Sequence, residues 1–244
     1  MDSILVIVII VVILAVILKT KSPQSIGKQG ENFVNGKLFS KLDQDYYKIL
    51  EDVLLSTNSD IGTTQIDHIV VSNFGIFCIE TKAYSGWIFG RANDKYWTQV
   101  IYHKKSRFYN PLRQNYGHIK TIEHLIAPLN ISVPVYSYVA FPDAEELKIT
   151  GTDLVGYAGD IIYKIKAHDQ VLITNEQKDR IVNLISQANI LDKDIYKLHS
   201  QRVSEMRQTP QLQQNQQGDN QENEDDNYDD DDFYDDDDSY DEDF

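Results

Sequence analysis

Between Gln65 and Lys82 the chain reads QIDHIVVSNFGIFCIETK, and no other stretch limits the available folds so tightly. Two apolar runs, 66–71 and 76–79, flank the turn-like Ser72-Asn73-Phe74-Gly75, the pattern of a β-hairpin. Asp67 interrupts the first run, and Glu80 and Lys82 end the second. Charges are depleted from sheet interiors because an unpaired buried charge is very costly, so three in one hydrophobic hairpin require a cause. Glu80 and Lys82, two residues apart, share one face of their strand. A loop of two or four residues centred on Asn73-Phe74 puts Asp67 directly opposite Glu80, with Cβ atoms about 5 Å apart. Two carboxylates so placed repel unless a cation lies between them, and hard oxygen ligands suit Mg²⁺ or Mn²⁺. Lys82 on that face can orient or activate a water. A three-residue loop would turn Asp67 to the opposite face and dissolve the arrangement.

The net charge of −15 does not describe the whole chain. Residues 219–244 hold 16 acidic side chains and no Lys or Arg, leaving 22 acidic against 23 basic residues elsewhere. The body is near neutral and the acidity belongs to a tail. Cys78, the sole cysteine, excludes an intrachain disulfide, fits a reducing compartment, and is read as a packing residue of a buried strand.

Fifteen apolar residues, 4–18, are bounded by Asp2-Ser3 and Lys19-Thr20-Lys21. At about 1.5 Å per residue they span roughly 22 Å, so flanking residues or local thinning must help them cross a bilayer. A cleaved signal peptide is the main rival; the acidic start and the LKTKSPQ that follows favour an uncleaved anchor. Lys19, Lys21 and Lys28 then place the body in the cytoplasm of a single-pass cell-membrane protein. After a linker at 22–26, a helix opens at Gly27-Lys28-Gln29-Gly30-Glu31, with Glu31 in its first turn where an acid suits the dipole. A first strand follows over 47–55, and a second hairpin over 84–100, whose aromatics read as core. Lys104, Lys105, Arg107 and Arg113, interleaved with Phe108 and Tyr109, suit a phosphate backbone with stacked bases; a solvated basic loop is the alternative. Asn110-Pro111 starts a helix carrying Gln114, Asn115 and His118. Residues 133–141 and 160–165 read as strands, Thr174-Asn175-Glu176-Gln177 as a capping box, and 201–244 as a disordered Gln-rich, then acidic, tail.

Taken together, Gly27-x-x-Gly30-Glu31, Gln65-Ile66-Asp67-His68, Gly75-Ile76-Phe77, Ile79-Glu80-Thr81-Lys82, Gly86 and Asn110-Pro111-x-x-Gln114-Asn115 resemble the NERD (nuclease-related) domain, grouped with the PD-(D/E)XK nucleases. The resemblance implies an α/β, restriction-endonuclease-like mixed β-sheet flanked by helices. The resemblance falls within a nuclease-like core over 27–141; the apolar run gives an N-terminal transmembrane helix over 1–21, and residues 142–200 are expected to form a C-terminal α/β extension of the core. The resemblance also implies that Asp67 and Glu80 ligate Mg²⁺ (or Mn²⁺), that the backbone carbonyl of Thr81 adds a ligand, and that Lys82 serves the attacking water. Glu31 matches the superfamily's additional acid, and Gln114 a polar residue brought to the site by a later helix. His68 points to the other face of its strand and is read as structural.

The expected function is a membrane-anchored, metal-dependent nuclease cleaving DNA. The alternative is a non-catalytic module that binds nucleic acid or protein at the membrane. The acidic tail is open to three readings: mimicry of DNA on the body's basic surface, docking of a protein partner, or plain solubility.

Overall fold

The structure, a computed structural model, describes residues 23–57 and 61–218. The apolar run at 4–18 and the acidic segment 219–244 lie outside the described residues. Among those described, no helix is long and apolar enough to cross a membrane. The chain divides into two units, 1–199 and 200–244, and the first holds all the packing discussed below.

A first sheet has strand order β1-β2-β3-β7-β9 and is built from β1 (Tyr47–Ser56), β2 (Thr63–Ser72), β3 (Gly75–Thr81), β7 (Val135–Ala140) and β9 (Val155–Gly156). The hairpin β1–β2–β3 is antiparallel, whereas β7 joins β3, and β9 joins β7, in parallel. A second sheet, ordered β6-β5-β4-β8, contains β4 (Gly86–Arg91), β5 (Tyr96–Ile101), β6 (Lys104–Tyr109) and β8 (Ala144–Thr150). The α/β class with mixed sheets flanked by helices is therefore as expected, but the strands form two sheets rather than one. The segment beyond residue 141 is integral to both, since β8 completes one and β9 the other.

All seven residues of β3 are buried, which is why its run is continuously apolar rather than alternating. One face packs on α1 (Pro23–Lys41) and α3 (Ala158–Lys166), with Val34, Leu38, Phe77, Ile79, Ile161 and Ile165 in a single cluster. The other face packs on α2 (Pro111–Ile126) and α4 (Asn175–Ala188) through Ile69, Ile76, Cys78, Ile122, Ile181 and Ile185. Cys78 is fully buried, and that burial pushes its thiol pKa upward, in keeping with packing rather than reactivity.

Several expectations need correction. Residues 160–165 form part of α3, not a strand; Ile161, Ile162 and Ile165 share one helical face, and Asp160 caps the helix by accepting from the Tyr157 amide. Residues 23–26 are the first turn of α1 rather than a linker, with Pro23 at the first position, where its missing N–H is not needed. Glu31 consequently lies in mid-helix. The helix α5 (Lys193–Gly218) carries 201–218, where disorder was expected; straight-chain Gln, Arg and Met are good helix formers even without an apolar face. The aromatics of the second hairpin divide: Trp97 is fully buried, while Trp87 is 43% exposed.

The turn between β2 and β3 is the two residues Asn73 and Phe74, and ladder pairs run from Ser72↔Gly75 to His68↔Ile79. Asn73 anchors it. Its amide donates to the Ile173 carbonyl (3.0 Å) and to Asn175 Oδ1 (3.0 Å), and its Oδ1 accepts from buried Lys178 (3.1 Å). Lys178 also donates to the carbonyls of Asp45 (2.7 Å) and Tyr46 (3.3 Å). Gly75 follows at φ +146°, and a Cβ there would lie 2.6 Å from the Tyr136 ring. Lys178→Met removes three hydrogen bonds and leaves the buried Asn73 Oδ1 without its donor; the expected loss is about 2–3 kcal/mol, read as a lower midpoint in urea denaturation.

Candidate active site

The register of the hairpin carries Asp67 and Glu80 to opposing positions one step beyond the last ladder pair, His68↔Ile79. There the ladder gives way to a side chain. Asp67 Oδ2 accepts from the Thr81 amide at 2.7 Å, so the carboxylate reaches across to the partner backbone.

Glu80 is 2% exposed and both its oxygens are engaged. Lys82 Nζ donates to Oε1 at 2.6 Å, and His118 Nε2 lies 3.2 Å from Oε2. Lys82 also donates to Gln114 Oε1 at 2.9 Å, and the Thr64 hydroxyl lies 2.8 Å from His118 Nδ1. Burial alone would raise the Glu80 pKa, but the Lys82 charge and the His118 hydrogen bond outweigh it and hold the carboxyl down, to about 2. An ionised carboxylate only accepts, so His118 donates to Glu80 from Nε2, while its Nδ1 shares a hydrogen bond with the Thr64 hydroxyl. The Lys82 ammonium is held in its charged form; desolvation opposes this, and Glu80 prevails.

Asp67 behaves oppositely. Burial first, then the charges of Glu80 and Glu31, push its pKa well above the ordinary 3.8, against weaker opposition from Lys82 and the Thr81 amide. Two carboxylates, Asp67 and Glu80, thus meet beside the Lys82 ammonium, and Glu31, itself paired with Lys28, adds its charge from α1. This excess of negative charge and the hard oxygen donors fit a divalent cation, although among the described residues no group of three or more His, Cys, Asp or Glu is already arranged as a ligand shell.

Glu31 comes from α1, on the other face of the sheet, and pairs with Lys28 at 3.1 Å. Gly30 explains how it comes close: a Cβ at Gly30 would lie 2.5 Å from the Ala83 Cβ, so only glycine lets α1 approach the segment after Lys82. His68 is buried, hydrogen-bonded to the Glu31 backbone and held neutral, its pKa lowered to about 4 mainly by desolvation. The structural reading of His68 agrees with this geometry.

The Asn110-Pro111-x-x-Gln114-Asn115 run has a distinct task for each residue. Asn110 caps α2 by accepting from the Leu112 amide (2.9 Å) and donates to the carbonyls of Ala92 and Asp94. Asn115 bolts α2 to the sheet by donating to the Cys78 carbonyl (3.1 Å), Ser137 Oγ (2.8 Å) and the Tyr138 carbonyl (3.1 Å). Gln114 is then aimed at Lys82. His118 was absent from the candidate site; its signal was the i, i+4 spacing from Gln114, which puts both on one helix face.

Thr81 is buried with an unpartnered hydroxyl. The four basic candidates are dispersed: Lys104, Lys105 and Arg107 are exposed on the edge strand β6, and Arg113 on α2 donates to the Asn93 carbonyl at 2.8 Å.

A mixed sheet with Asp67, Glu80 and Lys82 gathered at a hairpin end, and a helical glutamine above the lysine, is the arrangement expected of a nuclease-type domain. The chain belongs to the nuclease-related domain family, NERD, whose profile matches residues 26–142, within the PD-(D/E)XK-like nuclease superfamily. An uncharacterized protein of Bacillus anthracis is 40% identical over 199 residues, which cover 80% of this chain and 92% of that protein. No solved structure matches the chain.

The two acids should respond oppositely to neutralisation. Because folding raises the Asp67 pKa, its ionisation costs stability increasingly as pH rises above the ordinary aspartate value of 3.8. Asp67→Asn is therefore expected to raise the thermal midpoint at pH 8 in EDTA. Glu80→Gln leaves Lys82 buried beside a neutral amide and is expected to cost about 3–5 kcal/mol. Thermal unfolding followed by circular dichroism checks both signs.

Proposed function

We propose that this chain is a metal-dependent nuclease that hydrolyses phosphodiester bonds of DNA. The observation that carries the reading is the opposition of Asp67 and Glu80 across the hairpin, with Lys82 held between Glu80 and Gln114.

Asp67 and Glu80, with the Thr81 carbonyl, would hold Mg²⁺ or Mn²⁺. Such an ion supplies charge neutralisation at the phosphate and a more acidic bound water. Lys82 places its ammonium where an attacking water or a developing phosphorane charge needs a donor. Gln114 and Glu80 together restrict the rotamer of that lysine, and His118 holds Glu80 from the opposite side. Glu31 adds negative charge near Asp67 and reaches the site from α1. Lys104, Lys105, Arg107 and Arg113, spread over β6 and α2, would each meet the polyanion at separate points.

The site acts at a membrane in this reading. Support comes from the apolar run 4–18 and the lysines that follow it, which orient the body toward the cytoplasm. The acidic tail at 219–244 would compete with nucleic acid or dock a protein partner. A second reading, binding without cleavage, draws on Glu80, both of whose oxygens already have partners.

The full chain is to be assayed with Mg²⁺ or Mn²⁺ on supercoiled, linear and single-stranded DNA. Lys82→Ala is expected to lower the cleavage rate by about 10²–10⁴-fold. An unchanged rate in that variant, or no cleavage with either metal on any substrate, overturns the catalytic reading in favour of the binding one.

A further inference from the structure

The second sheet buries only one of its faces. Ile88 and Trp97 point inward, where they meet Val139 and Phe141, with Phe108 and Leu147 packed alongside. Strand alternation sends their neighbours outward, and the cross-strand pairs confirm who shares that face: Trp87↔Val100, Phe89↔Thr98, Tyr96↔Tyr109 and Thr98↔Arg107. The parallel partner β8 adds Glu146 beside Trp87 and Lys148 beside Phe89.

This outward face has a consistent chemistry. Four aromatic rings stand on it, among them Trp87 (43% exposed) and Tyr109 (44% exposed). Cations lie over the rings: Lys148 Nζ is 4.4 Å from the Trp87 centroid, and the Arg107 guanidinium 5.2 Å from that of Tyr96. Arg91, Lys105, Arg107 and Lys148 face one carboxylate, Glu146, among the paired positions. Edge protection accounts for lysines on β6, because charges there discourage strand addition. It does not account for exposed Trp87 on β4, an interior strand of the sheet. Beside Tyr109 a shallow cleft of about 410 Å³, lined also by Arg113 and Tyr116, continues the surface toward α2.

We propose that this outward face of the second sheet is a stacking platform for single-stranded nucleic acid. The inference rests on the reading that the chain acts on nucleic acid, and it adds the strandedness and the surface. Ring faces open to cations are open to unpaired bases, which a duplex keeps stacked inside itself, while the cations flanking the rings meet the phosphates. Four cations against one acid suit a polyanion. The binding is sequence-tolerant, because every base offers a π-face and the sheet presents few groups that read base edges.

The chain contains two tryptophans, and Trp97 is buried, so Trp87 is the exposed reporter. Poly-dT titrated into the full chain in EDTA is expected to quench tryptophan fluorescence at low salt. A Trp87→Ala/Tyr109→Ala variant is expected to bind poly-dT about 10- to 100-fold more weakly by fluorescence anisotropy, with a native circular-dichroism spectrum. The quenching of the unaltered chain decides the matter if that variant misfolds. The proposal is overturned if poly-dT leaves the fluorescence unchanged, if a duplex of equal length binds as tightly, or if the folded variant binds poly-dT normally. Loss of binding to anionic lipid vesicles with poly-dT affinity retained would assign the face to a membrane instead. Because these measurements use no metal, an inert active site refutes the nuclease reading without touching this one.

Discussion

The register of β2 against β3 is the constraint on which the candidate site depends. A slip of one residue would send Asp67 to the α1 face and leave Glu80 without its counterpart. That register is held from outside the hairpin. Asn73 is tied to the start of α4, Lys178 ties Asn73 to the chain before β1, and Gly75 fits against Tyr136 on β7. The turn at one end of the hairpin and the carboxylates at the other are thus parts of one mechanical unit.

At the carboxylate end the dominant interaction is the buried Lys82–Glu80 pair. Desolvating two charges is costly, and such a pair persists when further hydrogen bonds satisfy both ions. Gln114 and His118 do this from consecutive turns of α2, and Asn115 between them fixes the helix to the sheet. Asp67 accepts from the Thr81 backbone amide and remains electrostatically strained by Glu80 and Glu31. The site is accordingly asymmetric: one carboxylate is fully committed, and the other is destabilised until a cation or a proton arrives.

Much of this was legible in the residues. The apolar runs mark the hairpin and the spacing of Glu80 and Lys82 gives their shared face, but the loop length, and with it the register, is fixed only by the pairing of Ser72 with Gly75. Gln114 is legible from a motif rather than from periodicity, whereas His118, one turn further along, is a lone histidine on a helix and carries little signal of its place in the site. The short β-branched run 160–165 fits a strand and a helix period alike; Asp160, three residues after Tyr157, is the cue that favours the helix. Trp87 and Trp97 both lie in aromatic-rich strands, and only the pairing of β4 and β5 shows that one points outward and the other inward. The role of Gly30 was invisible without Ala83 beside it.

The most direct test of the account is to locate the metal. Crystals of the protein grown with Mn²⁺ and measured at the manganese absorption edge should show one anomalous peak within coordination distance of both Asp67 and Glu80 carboxylates. A peak lying elsewhere, or none between these two residues at saturating Mn²⁺, would contradict the central claim that the hairpin was built to hold a cation.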